Sequence, residues 1–194
     1  MSQTITVFIS STYHDLQNER QAVEKAINRL NDTVPVTMTS FSSSPDTPYE
    51  TCMKKVAESD VYVGIFAHRY GFIPPGHPLS MTELEYRKAI ELKKPVLIYF
   101  TAVAEDDTPK KHTEKDPSPE RDRLIALKNE LEKNHTLSKF NNPDELATLV
   151  IVDIRNQGLI DIPQQVVESP YGLLRMYLEA VRDEHHWLWI LAQH

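Results

Sequence analysis

The chain has 194 residues, of which 40% are hydrophobic and 25% charged, with 5 glycines and 13 prolines. This length and composition predict one globular domain with a sizeable core, and they exclude collagen-like or flexible low-complexity material. The formal net charge is −7, from 21 Lys and Arg against 28 Asp and Glu, so a nucleic-acid backbone would be repelled and general nucleic-acid binding is disfavoured.

The cysteine content and the distribution of apolar residues bear on the cellular compartment. A single cysteine, Cys52, excludes an intramolecular disulfide and a multi-cysteine zinc site. No apolar signal region follows Met1, and the longest apolar stretch, Trp187–Ala192, is far shorter than the roughly 18 residues of a membrane span. We therefore expect a soluble, cytoplasmic protein that has neither a membrane nor a nucleic acid as its partner.

Strand and helix patterns alternate from the start of the chain. β-Branched and aromatic residues form the first strand pattern, which ends in a polar Ser-Ser-Thr exit. Apolar residues then recur at helical spacing after Asp15, a residue type that favours the N-cap position. The predicted elements are a strand over Ile5–Ser10, a helix capped by Asp15 that includes Leu30, a strand over Val34–Phe41, a loop over Ser42–Pro48, a helix over Tyr49–Ala57 and a strand over Val61–Phe66.

The second half continues this alternation with a longer connection. Proline and glycine predict a loop at His68–Gly76, and the continuous apolar run Pro95–Phe100 is typical of a strand covered on both faces. Three prolines and many charges predict a mobile surface loop over Thr101–Pro119. The other elements are a helix over Ser80–Lys93, a helix over Arg121–Lys133, a short edge strand over His135–Phe140, and a segment from Pro143 to Ile154 that fits a helix or a strand.

This order of elements predicts a flavodoxin-like α/β domain over residues 1–160, a doubly wound parallel sheet of four or five strands in the order 2-1-3-4-5. Such sheets bind ligands beyond the carboxyl ends of the strands where the order reverses, here between the first and third strands. The loops that leave this point are Ser10–His14 and His68–Gly71. Topology alone therefore nominates these two loops as the binding site.

The residues beyond 160 have a different pattern. Ser169 and Pro170 fit an N-cap and a first helical turn, and Leu173–Ala192 forms a long helical pattern with an apolar end. We therefore predict a C-terminal helical extension over residues 161–194. Its apolar end either packs back on the domain or connects to a partner or a downstream module.

Most familiar catalytic signatures are absent from the sequence. The motifs for nucleoside triphosphate hydrolysis, Rossmann dinucleotide binding, zinc proteolysis and the α/β-hydrolase nucleophile do not occur. The eight histidines are scattered apart from His185 and His186, which as adjacent helix residues face different ways, so no metal site is expected. No histidine lies near Cys52 in sequence to activate it, which favours a packed thiol over a nucleophile.

The helix predicted over Ser80–Lys93 carries the most informative carboxylate. At 100° per residue, Glu85 falls near the centre of an apolar arc, where a carboxylate is not solvated. Such a group either faces the ligand cleft with a raised pKa or forms an ion pair, for which Arg69 is the candidate partner. Glu83 instead lies three residues after Ser80, the spacing of a capping box, which predicts a structural role.

Five ordered motifs between Thr4 and Phe100 resemble the family called domain of unknown function 4062. They read V-F-I-S-S-T, D-L-Q-N-E-R, S-P-D-T-P, E-S-D-V-Y-V-G-I-F-A-H-R-Y-G and T-E-L-E-Y-R-K-A-I-E-L-K-K-P-V-L-I. That family is similar to TIR domains and, more distantly, to nucleoside 2-deoxyribosyltransferases. Glu85 and Ala89 have the spacing that the deoxyribosyltransferases share, whereas Tyr86 replaces the aliphatic residue usual in enzymatic TIR domains.

The resemblance implies a TIR-like effector that cleaves an N-glycosidic bond, such as the nicotinamide–ribose bond of NAD⁺, in microbial immune defence. NAD⁺ is then a substrate, and no cofactor or metal is required. Glu85 is the implied catalytic residue, which stabilises the ribosyl cation or traps it covalently. The implied ligand-binding residues are Ser10, Ser11 and Tyr13 by hydrogen bonds, His68 from the second loop, Arg69 for a phosphate, and Tyr70 or Phe72 by stacking on a base.

The same resemblance leaves a second function open, because TIR-like folds also act as homotypic adaptors. In that case the chain is a non-catalytic interaction module. Either function is compatible with a homo-oligomer or with a downstream NTPase or repeat module as partner.

Overall fold

The computed structural model describes residues 4–38, 45–103 and 119–158. Strands and helices alternate through these ranges, as the sequence pattern predicts. They are β1 Ile5–Ser11, α1 Gln17–Asn28, β2 Thr33–Val36, α2 Pro48–Glu58, β3 Val61–Phe66, α3 Met81–Glu91, β4 Val96–Thr101, α4 Pro119–Asn134, β5 Leu137–Phe140 and α5 Pro143–Asn156.

The five strands form one sheet in the order β2-β1-β3-β4-β5, and every neighbouring pair is parallel. This arrangement confirms the predicted flavodoxin-like doubly wound sheet. Strand order reverses between β1 and β3, where Val7 pairs with Val61 and Ser10 with Gly64. The carboxyl ends of these two strands are therefore adjacent, and the loops that follow them leave the sheet side by side.

Alternation along the strands divides the core between the two faces of the sheet. Val61, Val63 and Ile65 of β3 face one side, where they pack with apolar residues of α1 and α5. Tyr62 and Phe66 face the other side, where they pack with residues of α2, α3 and α4. Each face of the sheet is thus covered by helices, which explains the nearly continuous apolar runs in the central strands.

Two predicted boundaries are wrong for local physical reasons. Helix α1 begins at Gln17 without a side-chain cap, because the Asp15 carboxylate instead accepts a hydrogen bond from the Thr12 hydroxyl in the preceding loop. Strand β2 covers Thr33–Val36 and ends before Thr37, whereas the predicted strand is Val34–Phe41; residues 39–44 lie outside the described residues. Pro35 has no N–H to donate, which is compatible with the edge position of β2.

The ambiguous segment after Pro143 is helical. Asn142 accepts a hydrogen bond from the backbone N–H of Glu145 at 2.9 Å, and Pro143 occupies the first turn. The predicted loop Thr101–Pro119 begins in β4 and ends in α4, and residues 104–118 lie outside the described residues. The extension predicted over 161–194 also lies outside them, and within the described ranges no helix is long and apolar enough to span a membrane.

Gly64 is required by close packing on the α3 side of the sheet. A Cβ added there would lie 2.9 Å from both Tyr62 Cε1 and Phe66 Cε2, and 3.2 Å from Ile98 Cδ1. We therefore expect Gly64→Ala to lower the free energy of unfolding by about 1–3 kcal/mol, measured as a lower urea midpoint. Lys139→Ala, at an exposed position of β5, is the control with an effect within about 0.5 kcal/mol. An unchanged midpoint for Gly64→Ala would contradict this packing.

Candidate functional site

Strand β1 leads into three consecutive hydroxyl residues, Ser10, Ser11 and Thr12, here called the hydroxyl run. Because side chains alternate along a strand, Ser10 faces the side of the sheet that carries α3, whereas Ser11 faces the side that carries α1. The run stands at the carboxyl end of β1, where the strand order reverses. Its hydroxyl groups therefore reach charged side chains from two different helices.

The hydroxyl of Ser10 donates a hydrogen bond to Oε2 of Glu85 at 2.5 Å. Ser80 caps α3 by accepting from the backbone N–H of Glu83, so the helix starts at Met81 and turns Glu85 toward β1. Glu85 is 2% exposed, and its other oxygen, Oε1, has no hydrogen-bond partner among the described residues. A buried carboxyl group with one partnered and one unpartnered oxygen thus lies beside the end of β1.

Burial raises the pKa of Glu85 to about 7, and the hydrogen bond from Ser10 opposes this rise only in part. No ion pair involves Glu85 among the described residues. The expected pair with Arg69 is wrong, because Arg69 is exposed on the β3–α3 loop while Glu85 is enclosed by the sheet and helices. The charge of Glu85 therefore has no cation to stabilise it.

Two neutral side chains complete the surroundings of Glu85. Cys52 of α2 and Tyr62 of β3 are both fully buried. Burial and the neighbouring Glu85 charge raise the pKa of the Cys52 thiol, and they raise the pKa of the Tyr62 hydroxyl well above its ordinary value. Both groups stay protonated at neutral pH, so neither neutralises the carboxylate.

Ser11 and Thr12 bind charged residues on the α1 side. Arg20 of α1 donates from Nη1 to Ser11 Oγ at 3.0 Å and to the Thr12 carbonyl oxygen at 3.3 Å. The Thr12 hydroxyl donates to Oδ1 of Asp15, whose other oxygen, Oδ2, is buried without a partner among the described residues. The hydroxyl run thus contacts three charged residues: Ser10 binds Glu85, Ser11 and Thr12 bind Arg20, and Thr12 also binds Asp15.

Glu83 is the second carboxylate of α3 and has a different environment. Its backbone N–H completes half of the predicted capping box, but its carboxylate does not return to the Ser80 backbone. Instead it accepts from the Tyr70 hydroxyl at 2.7 Å and from Arg87 Nη2 at 2.9 Å. Arg87 also donates to Oε2 of Glu130 in α4 at 2.6 Å. Glu83 therefore connects the β3–α3 loop to α4.

The two loops nominated by topology lie against each other. Gly71 has φ +96°, and a Cβ there would lie 3.1 Å from Cγ2 of Thr12. Tyr70, one residue earlier, is buried and presents no ring face to solvent. The remaining predicted ligand-binding residues are more accessible: Tyr13, Arg69 and Phe72 are exposed, and His68 is half-buried.

Sequence reasoning missed Arg20, although a signal for it exists. Leu16, Arg20, Val23 and Ile27 recur at helical spacing, and all four are buried. An arginine on this stripe is as unusual as a glutamate on the apolar arc of α3. As for metals, no group of three His, Cys, Asp or Glu side chains within the described ranges could hold an ion.

Residues 6–155 match the family described as Domain of unknown function (DUF4062), and the chain belongs to this family. This match confirms the resemblance carried by the five motifs. A comparison with curated proteins finds no match.

Two solved structures are similar to this chain at low identity. The CMP N-glycosidase BcmB from Clostridium botulinum is 17% identical with a TM-score of 0.44, and the match covers 76% of this chain and 98% of that chain. A 2-desoxiribosyltransferase from Leishmania mexicana is 14% identical with a TM-score of 0.39, and the match covers 68% of this chain and 99% of that chain.

The environment of Glu85 predicts a specific pH dependence of stability. The pKa of this carboxyl is about 7 in the folded chain against an ordinary value of 4.5, so between these pH values the folded state keeps a proton that the unfolded state has lost. The contribution of Glu85 therefore lowers the free energy of unfolding as pH rises from 4.5 to 7, by on the order of 3 kcal/mol. Glu85→Gln removes this loss.

Urea denaturation at pH 5 and pH 8 measures the effect. We expect Glu85→Gln to be more stable than the unmodified chain at pH 8, and the difference to shrink at pH 5. Glu132→Gln, at an exposed position of α4, is the matched control and keeps the pH profile of the unmodified chain. Parallel profiles for Glu85→Gln and the unmodified chain would contradict the burial of an unpaired carboxyl.

Proposed function

We propose that the chain cleaves the N-glycosidic bond of a nucleotide of the NAD⁺ class, with Glu85 as the carboxylate that meets the sugar carbon C1′. The observation that carries this proposal is the buried Oε1 of Glu85, which has no partner among the described residues. Burying a carboxyl oxygen without a hydrogen bond costs stability, so such a group calls for an explanation. Glu85 lies at the reversal of strand order, where ligands bind in this fold, and this position favours a functional explanation.

The chemistry needs one carboxylate. The bond between C1′ and the pyridinium nitrogen breaks, its electron pair goes to that nitrogen, and nicotinamide leaves as a neutral molecule. Because this leaving group takes up no proton, a general acid is unnecessary, unlike in glycosidases that use two carboxyl groups. The ionised Glu85 stabilises the ribosyl cation or forms an ester with C1′. Water then supplies the new C1′ hydroxyl and releases one proton.

Ser10 supports this role as a positioning residue. Its hydroxyl holds Oε2 of Glu85 at 2.5 Å, which leaves Oε1 as the oxygen that meets the substrate. Glu85 is buried in this structure, so a substrate reaches it only after a covering segment moves. The β3–α3 loop is the segment we assign to this movement, because its Gly71 packs on Thr12 of the hydroxyl run. We further propose that self-assembly or a downstream module drives the opening, in a defence role that rests on the family resemblance.

The direct test is release of a free base from nucleotides. The chain is incubated with NAD⁺, nucleoside monophosphates and 2′-deoxynucleosides at low and high protein concentration, and released bases are separated by chromatography. We expect release that rises with pH and is half-maximal near pH 7, because the carboxylate must be ionised, and that falls at least about 100-fold in Glu85→Gln.

Glu132→Gln is the control for this assay, because its exposed side chain lies on α4 and leaves Glu85 untouched. It should release base at the rate of the unmodified chain. Equal release by Glu85→Gln, or no release from any nucleotide at any concentration, would overturn the proposal.

A non-catalytic interaction module is the second candidate, and the internal hydrogen bond between Ser10 and Glu85 favours it. In that function the buried carboxyl group never meets a ligand. Sedimentation velocity over a range of concentrations then detects self-association that Glu85→Gln leaves unchanged, while no nucleotide is consumed. Base release that depends on Glu85 would eliminate this candidate.

A further inference from the structure

Arg20 is a buried cation at the proposed active site without an acidic partner. The residue is 9% exposed and lies on the inward stripe of α1. Its contacts are all neutral: the Ser11 hydroxyl, the Thr12 carbonyl oxygen, and the Tyr13 ring, whose centroid lies 5.1 Å from the guanidinium carbon. No carboxylate of the described residues lies within ion-pairing distance of it.

The guanidinium group keeps donors available for an anion. Of its five N–H groups, those on Nη1 bind Ser11 and Thr12, while Nε and Nη2 make no hydrogen bond within the described residues. These two nitrogens are not fully enclosed, so a ligand can still reach them. A planar guanidinium fork matches the oxygens of a phosphate, and a nearly buried arginine gains most from such a pair.

Two carboxyl oxygens without hydrogen-bond partners belong to residues that bind the same hydroxyl run as this cation. Within the described residues, Asp15 Oδ2 and Glu85 Oε1 are the buried side-chain atoms that lack a hydrogen-bond partner. Both carboxyl groups are bonded through their other oxygen to the hydroxyl run. A simple anion would satisfy the guanidinium but neither of these oxygens. A sugar phosphate supplies an anion together with hydroxyl donors, so its chemistry fits the guanidinium of Arg20 and the unpartnered oxygen of Asp15.

We propose that Arg20 binds a phosphate group of the substrate and that Asp15 Oδ2 accepts a hydrogen bond from a hydroxyl of its sugar. This assignment rests on the proposed function for the identity of the reacting bond, and it adds the residues that bind the phosphate and the sugar of the substrate. Nucleotides are ligands, whereas the corresponding nucleosides bind weakly. In this proposal the phosphate-binding residue is Arg20, and not Arg69 on the exposed loop.

Ligand-observed NMR on the complete chain tests the assignment without catalysis. The probes are ribose 5-phosphate, ribose and inorganic phosphate at constant ionic strength, because they carry no base whose identity affects binding. We expect ribose 5-phosphate to bind at least about tenfold more tightly than ribose, and Arg20→Gln to abolish this ratio. Lys25→Gln, at an exposed position of the same helix, removes the same charge and keeps the ratio.

Asp15→Asn addresses the sugar half of the proposal. This variant should weaken the binding of ribose 5-phosphate and leave the affinity for inorganic phosphate unchanged. A merely structural role of Arg20 would lower the affinities for ribose and ribose 5-phosphate equally, and that result overturns the proposal. Equal affinities of the unmodified chain for the two sugars overturn it as well, whether or not Arg20→Gln folds. If circular dichroism shows that variant unfolded, Arg20→Lys replaces it and should lower the ratio.

The two proposals fail in different ways. Binding of ribose 5-phosphate that depends on Arg20, without base release from any nucleotide, contradicts the glycosidase function and leaves the phosphate site standing. Base release whose KM is unchanged in folded Arg20→Gln contradicts the phosphate site and leaves the glycosidase function standing.

Discussion

The hydrogen bond from Ser10 to Glu85, 2.5 Å long, is the interaction on which the site depends. Without it, a fully enclosed carboxyl group would have neither oxygen satisfied, at a cost that few domains tolerate. The same strand that places Ser10 toward α3 places Ser11 toward α1, because successive side chains alternate. One hydroxyl run at the end of β1 therefore organises groups on both sides of the sheet: a carboxyl from α3 and a guanidinium from α1.

Two glutamates of α3 show how environment separates a carboxylate with a compensated charge from one without. Glu83 has a hydroxyl and a guanidinium as partners, so its charge is compensated, and it accepts a hydrogen bond from Tyr70 of the β3–α3 loop. Glu85, two residues later, points into the core and is surrounded by neutral groups. Only Glu85 has a desolvation cost that no cation offsets, which is the physical reason why we propose a chemical role for it.

Much of this arrangement could be predicted from the sequence, because it follows from periodicity. Alternating apolar runs predict the parallel sheet and its order, and helical spacing predicts that Glu85 is buried. Partners could not be predicted in the same way. Arg69 is near the site in sequence, yet its loop position leaves it exposed, while Arg20 reaches the site from a helix. Periodicity identifies the buried face of a helix but not the residue that it meets, and Asp15 likewise bonds to Thr12 rather than capping α1.

The core of this DUF4062 domain keeps a carboxyl group without a cationic partner at the reversal of strand order. NMR titration of chains labelled with ¹³C at the glutamate carboxyl carbon measures this most directly. We expect one resonance that titrates near pH 7 and is missing from the spectrum of Glu85→Gln. Titration of that resonance at the ordinary glutamate pKa of 4.5 would contradict the burial of an unpaired carboxyl group.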